Sequence, residues 1–473
     1  MWYITQYLVA FTLLVGTLAC VTAELIDSED IERFCFPEEH KNTRKSCECS
    51  NESAPPWGMR AMRIDCSYKN FKLQDFNSEV LPLYVDSLDI SWNALERVPI
   101  LASDSLRLLN MMHNNISTIA SKNFIKISNL RELYLNWNSI QVIELNAFED
   151  LAQLQVLDLS HNNLHELQFQ VFAPMLILET LSLSWNRQLN QTEGIQELNF
   201  YDTFGVNRKL RTLQLQTCSL ASIMLGETAP LVELDLRHNL LSKVPAKLPT
   251  ALIKLDLSDN LFEALLFEDT ALIPDGIREL QFEDMQDLHS IAENAFVPLQ
   301  SLQKVSFQNS RHLTSIHEHA FGINTTTGTA SKMPSLTAII FRGTSLRTLN
   351  ATLAPVFLQL TELDLNGVPL HCDCELIWMK QLSVESQARC FKPSRLRGKL
   401  LSQAQVKDFR CDTWPHWVYG IILLSLIFIC AGGIYLVVMG LRPHRGVTLR
   451  RKVGAGSPYA RVTIDPNRQE NIN

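Results

Sequence analysis

One frame recurs along this chain: Leu-x-x-Leu-x-Leu-x-x-Asn-x-Leu. It reads LRELYLNWNSI from Leu130, LQVLDLSHNNL from Leu154, LVELDLRHNLL from Leu231 and LIKLDLSDNLF from Leu252. Aligned on it, units start at Val85, Leu106, Leu130, Leu154, Leu178, Leu210, Leu231, Leu252, Ile277, Leu302, Leu336 and Leu360, and most steps are 21–25 residues. A period of this size marks stacked repeats, in which each unit buries its apolar face against its neighbours. The longer steps, 32 residues after Leu178 and 34 after Leu302, imply inserted loops. The stretch from Asn324 to Ser335 reads as one of them.

In the fourth unit the spacing predicts a strand over Val156–Ser160, with Leu157 and Leu159 inward and Val156, Asp158 and Ser160 outward. Asn162 falls where the chain turns away from that strand. Its amide is suited to satisfy backbone groups that water cannot reach, each costing about 1–3 kcal/mol if left unpaired. Asn93, Asn114, Asn138, Asn186, Asn239 and Asn260 stand at the same offset, and Cys218 replaces the asparagine in one unit. From Ile277 onward the ladder breaks, with Met285, Ser310, Thr344 and Val368 at its position. Phe148, Phe172, Phe296 and Phe321 recur in the second halves of their units.

The two termini point to a compartment. Residues 1–23 contain a short apolar run with small residues at Val21 and Ala23, as in a cleaved secretory signal. Residues 418–441 carry no charge, and as a helix they reach roughly 36 Å, enough for a hydrocarbon layer of about 30 Å. Trp414, Trp417 and Tyr419 flank one edge of that run. Arg442, Arg445, Arg450, Arg451 and Lys452 flank the other, which places the 442–473 tail in the cytoplasm and residues 24–416 outside. The expectation is a single-pass, type I plasma-membrane protein. Of eleven cysteines, eight form two groups that bracket the repeats: Cys35, Cys47, Cys49 and Cys66, then Cys372, Cys374, Cys390 and Cys411. In an oxidising compartment each even-numbered group reads as two disulfides rather than as a zinc site. Asn51, Asn115, Asn190, Asn324 and Asn350 head glycosylation sequons that this topology exposes to the modifying enzymes.

These features resemble the extracellular leucine-rich-repeat proteins of animals that cross the membrane once, the adhesion and receptor types. The cysteine pattern over 35–66 resembles their N-terminal cap, and VPLHCDCELIWM with Cys390 and Cys411, over 371–411, resembles their C-terminal cap. The resemblance implies an α/β repeat solenoid over 85–370, a curved horseshoe with a parallel concave sheet and disulfide-capped ends. It also implies the pairs Cys35–Cys49, Cys47–Cys66, Cys372–Cys390 and Cys374–Cys411. Where the family usually has Asn-Pro-Phe before its first C-terminal cysteine, this chain has Val368-Pro369-Leu370.

A formal net charge of −8 argues against a nucleic-acid partner. No G-x-S-x-G, phosphate-cradling glycine loop or H-E-x-x-H occurs, His317-Glu318-His319 is an isolated spacing, and neither enzyme activity, a metal nor a cofactor is expected. Stacked strands about 4.8 Å apart give a concave face about 50 Å long, sized for an extracellular or cell-surface protein partner, a second copy included. Its central row, which contains Tyr134, is mildly acidic. A second row, just before the ladder residue, reads Trp92, His113, Trp137, His161, Trp185, Thr217, His238. Trp92, Trp137 and Trp185, with Tyr134, are candidate partner-binding residues, because aromatic anchors dominate binding hot spots. The competing reading is that these rings pack unit to unit and shield the ladder. In the tail, Tyr459 and Val462 fit the pattern read by endocytic adaptors, and Tyr459 is also open to phosphorylation. Two functions follow: recognition of a protein on another surface, or an accessory subunit that modulates a neighbouring receptor or channel in the same membrane.

Overall fold

Each Leu-x-x-Leu-x-Leu frame closes one turn of a coil. The computed structural model describes residues 47–53, 60–75, 81, 84–192, 195–196, 198–322, 334–410 and 416–440. Among these, a fourteen-stranded sheet runs the length of the repeats. It opens with the hairpin Glu48–Ser53 and Arg60–Asp65, and every later strand pairs in parallel, from Val85–Asp89 to Glu362–Asp364. The register repeats the frame: Leu133 pairs with Leu157, and Leu157 with Leu181. Units nine to eleven, whose ladder is broken, keep that register through Glu279–Gln281, Lys304–Ser306 and Ala338–Ile340. Two smaller parallel sheets back the coil, Thr118–Ile119 with Val142–Ile143, and Ala264–Leu265 with Ser290–Ile291 and Ser315–Ile316.

The strands are shorter than the pattern predicts. In the fourth unit only Val156–Asp158 is strand. Leu157 and Leu159 are fully buried, as expected, but Ser160 is buried too, because the chain is already turning. Asn162 makes that turn. Its Nδ2 donates to the carbonyls of Leu135, Leu159 and Ser160 at 3.0–3.1 Å, and its Oδ1 accepts from the Ile140 amide at 2.9 Å. One side chain therefore satisfies backbone groups in its own unit and in the preceding one. Cys218 imitates it weakly, with its Sγ 3.3 Å from the Leu183 carbonyl; burial pushes its thiol up to about 12, which leaves it inert.

The recurring phenylalanines fill the other half of each turn, and Phe124, Phe148, Phe172, Phe296 and Phe321 are all buried. Phe296 and Phe321 stack at 4.7 Å. The insertion after Leu178 is not a bare loop: it holds a helix, Phe200–Phe204, capped by Asn199 and ended by Gly205 at φ +70°. Phe200 and Phe204 of that helix are buried.

Disulfides sit at both ends of the coil: Cys47 pairs with Cys66, and Cys372 with Cys390. Cys49 and Cys374 are also disulfide-bonded, and the cysteines expected to partner them, Cys35 and Cys411, lie outside the described residues. Trp378 packs edge-on against Phe357 and donates its indole N–H to the Leu349 carbonyl at 3.1 Å, which ties the C-terminal segment to the last units.

As a separate unit, residues 416–440 form one helix, His416–Gly440, without Asp, Glu, Lys or Arg. Among the described residues, it is the one helix long and apolar enough to cross a membrane.

Candidate partner-binding surface

The residue before each ladder position must turn the chain out of its strand. In all twelve units it does so with a positive φ: 53° at Trp92, 51° at His113, 56° at Trp137, 52° at His161, 62° at Trp185 and 54° at His238. Thr217, Asp259, Asp284, Asn309, Gly343 and Gly367 complete the series. An L-residue in this left-handed region is strained by roughly 1–2 kcal/mol; glycine is not, and Asn and Asp tolerate it best of the others. The first seven units nevertheless place six rings there, three indoles and three imidazoles, interrupted once by Thr217.

Because consecutive turns superimpose, these rings stack. His113 lies 3.5 Å from Trp92 and 5.0 Å from Trp137, and His161 lies 3.8 Å from Trp137 and 5.0 Å from Trp185. Their planes are within 9–18° of parallel. Tyr68, itself at φ +57°, extends the column at 5.1 Å from Trp92, and His238 follows Trp185 at 6.2 Å. His238 is hydrogen-bonded through Nδ1 to Asp259. The stacking satisfies the packing reading of these residues, yet Trp92 and Trp137 remain 41% and 47% exposed. The result is a ledge of ring edges beside the sheet.

On the sheet face next to this ledge, Tyr134 donates its hydroxyl to Glu132 Oε2 at 2.9 Å. Burial, then Glu132, pushes its phenol up to about 12. Further along, Asp256 is buried, which raises its carboxyl to about 6 against the opposing pull of its Ser258 bonds; Arg237 lies 3.2 Å away. Burial lowers both His113 and His161 below the usual imidazole value; for His161 the nearby Asp158 opposes this and His113 adds to it.

Asn115 is exposed beside the ladder, Asn190 lies in the turn Leu189–Gln191, and Asn350 caps the turn Ala351–Leu353. None of these three is on the long sheet, whereas Asn51 lies in its first strand. His317 and His319 lie together, but among the described residues no group of three His, Cys, Asp or Glu side chains is arranged to hold a metal. Asn324, Tyr459 and Val462 lie outside the described residues. The sequence pattern located the Trp–His row but missed Tyr68, which precedes the first full frame. The Ile64-x-Cys66-x-Tyr68 spacing was the available signal.

A family model described as leucine rich repeat matches residues 128–188, and one described as BspA type leucine rich repeat region (6 copies) matches residues 275–353. Human chondroadherin-like protein is 38% identical over 82 residues, covering 16% of this chain and 10% of that protein. Mouse leucine-rich repeat and fibronectin type-III domain-containing protein 5 is 37% identical over 51 residues, covering 11% of this chain and 7% of that one. The chain thus matches a tenth or less of the length of these relatives. Among solved structures, a chain of the Drosophila Toll–Spatzle complex is 19% identical with a TM-score of 0.47, covering 70% of this chain and 55% of that chain. A chain of the octameric complex of Latrophilin 3, Unc5D and FLRT2 is 18% identical with a TM-score of 0.43, covering 79% of this chain and 95% of that chain. The recurring frame, the parallel coil built on it and the two matched segments agree: the chain carries leucine-rich repeats, with disulfide-bonded segments at both ends of its coil.

Proposed function

We propose that the chain is a cell-surface recognition protein that binds an extracellular protein partner across the concave face of its coil, anchored by Trp92, Trp137, Trp185 and Tyr134. The observation that carries this reading is the residue choice at the left-handed position. Asp259, Asp284, Asn309, Gly343 and Gly367 make the same turn at lower conformational cost. Large rings at the equivalent upstream positions retain a strain that their stacking offsets only partly, at about 0.5–1.5 kcal/mol per pair. Retained strain with exposed aromatic edges is expected of a binding surface. Disulfides at both ends of the coil fit an oxidising compartment, and the helix His416–Gly440 supplies the membrane tether. A long face of half-exposed side chains offers shape and charge to a macromolecule.

The test replaces Trp92, Trp137 and Trp185 together by Asp, which tolerates the left-handed turn as Asp259 and Asp284 do. The full-length chain, purified in detergent, is used to capture proteins from the labelled surfaces of other cells, with wild type and variant run side by side. The expected result is a partner whose affinity falls at least tenfold in the variant while its melting temperature stays within a few degrees. Equal capture by both chains overturns the reading. Loss of capture only in parallel with unfolding returns the ledge to a purely structural role.

A further inference from the structure

We propose that His113 and His161 make binding across the ledge acid-labile, so that a partner held at neutral pH is released at about pH 5. The inference rests on the ledge being the partner surface.

The geometry is what singles out these two rings. Each imidazole is sandwiched between indoles, His113 between Trp92 and Trp137, His161 between Trp137 and Trp185. The units on either side therefore present His113 with aromatic faces rather than with a carboxylate. His161 has Asp158 in its own unit and the His113 charge two units away. Arg187 sits over the far tryptophan, 5.7 Å from the Trp185 ring, and carries the same sign as a protonated imidazole. His238 is excluded from the device because it is hydrogen-bonded through Nδ1 to Asp259 and is not held between two indoles.

Burial displaces both rings toward the neutral form, so they are uncharged at neutral pH and gain protons only on acidification, later than an ordinary imidazole does. Charging does not dismantle the free column, because an imidazolium is attracted to indole faces. The consequence appears when a partner covers the ring edges. Covering removes the remaining water from each imidazole, which disfavours the protonated form further. The complex therefore binds fewer protons than the free chain. By linkage, a state that binds fewer protons weakens as pH falls, and the affinity is highest above the free-chain pKa. A partner that dries both rings is expected to lose up to about tenfold in affinity on acidification for each ring, and about a hundredfold for the two together.

The experiment uses the full-length chain in detergent and the partner captured as above. Dissociation constants are measured at pH 7.4 and 5.0 for wild type and for His113→Phe/His161→Phe, which keeps a stacked ring and cannot charge. The readout is the ratio of the two constants within each chain. A ratio of ten or more in wild type, reduced to near one in the double variant, is the expected result. A second readout is tryptophan fluorescence of the free chain against pH, expected to show a transition below pH 6.5 that the double variant lacks. Equal ratios in the two chains overturn this inference alone, as does a wild-type fluorescence curve flat through that range. Capture of nothing at pH 7.4 overturns the ledge reading, and this inference with it.

Discussion

The two halves of the coil solve one backbone problem in different ways. From Trp92 to His238 the left-handed position holds rings or Thr217, and the ladder position beside it holds Asn or Cys218. From Asp284 to Gly367 the left-handed position holds Asp, Asn or Gly, and the ladder holds Met285, Ser310, Thr344 and Val368. The eighth unit, with Asp259 before Asn260, is the junction. Upstream, one amide side chain fixes the turn through several bonds, as Asn162 does. Downstream, Ser310 donates to the Phe282 carbonyl at 2.8 Å and accepts from the Met285 amide at 3.1 Å, and Thr344 donates one bond, to the Phe341 carbonyl at 2.9 Å. The conformationally permissive residues thus occur where the ladder is weak, and the strained rings where it is strong. A turn over-determined by its ladder can carry a side chain chosen for something other than the turn.

The sharpest break in this comparison is a ladder deletion. Asn162→Ala orphans the Ile140 amide and takes one of two hydrogen bonds from each of the Leu135, Leu159 and Ser160 carbonyls, which keep Asn138, Asn186 and the Trp137 amide, and should destabilise by about 3 kcal/mol. Ser310→Ala should lose about 1–2 kcal/mol. Urea unfolding of the full chain in detergent measures both, and equal losses would dissolve the distinction between the halves. Exchanging the left-handed residues comes next. At Gly343, with φ +72°, a Cβ meets Asn309 Oδ1 at 3.0 Å, so Gly343→Trp should cost about 2–3 kcal/mol from strain and crowding. The reverse exchange, Trp137→Asp, relieves strain as it removes two stacking contacts, and its melting temperature should move by no more than the equivalent of about 1 kcal/mol. A large loss there would mean that the rings hold the coil together.

The smallest effect is pH-dependent. Asp256 has a folded pKa raised to about 6, above its unfolded value, so its ionised form opposes folding at pH 7 and protonation relieves this as pH falls from about 6 to 4. Asp256→Asn should therefore stabilise the chain at pH 7 on the order of 1 kcal/mol and give no advantage near pH 4. Thermal melts at the two pH values check the sign. An advantage independent of pH would assign the gain to packing.

Much of this molecule is legible in its residues. The coil is, because a frame repeated every 21–25 residues leaves stacking as the way to bury so many leucines. So is the ladder, because an asparagine between buried leucines has few uses other than bonding the backbone. The helix Phe200–Phe204 shows in the sequence only as an insertion, since five residues carry too little periodicity to declare a helix. The candidate surface was half legible. The Trp–His alternation is plain in the letters, but Gly, Asn and Asp announce a left-handed turn and Trp does not.

The sequence by itself determined the period, the inward leucines and the bonded asparagines, because each follows from local chemistry repeated in every unit. Only the tertiary structure decided that Tyr68, Trp92, His113, Trp137, His161 and Trp185 form one stack. Ring contact depends on the alignment of successive turns, residues some twenty positions apart. That alignment is set by the pairing of strands across units, which no single repeat encodes.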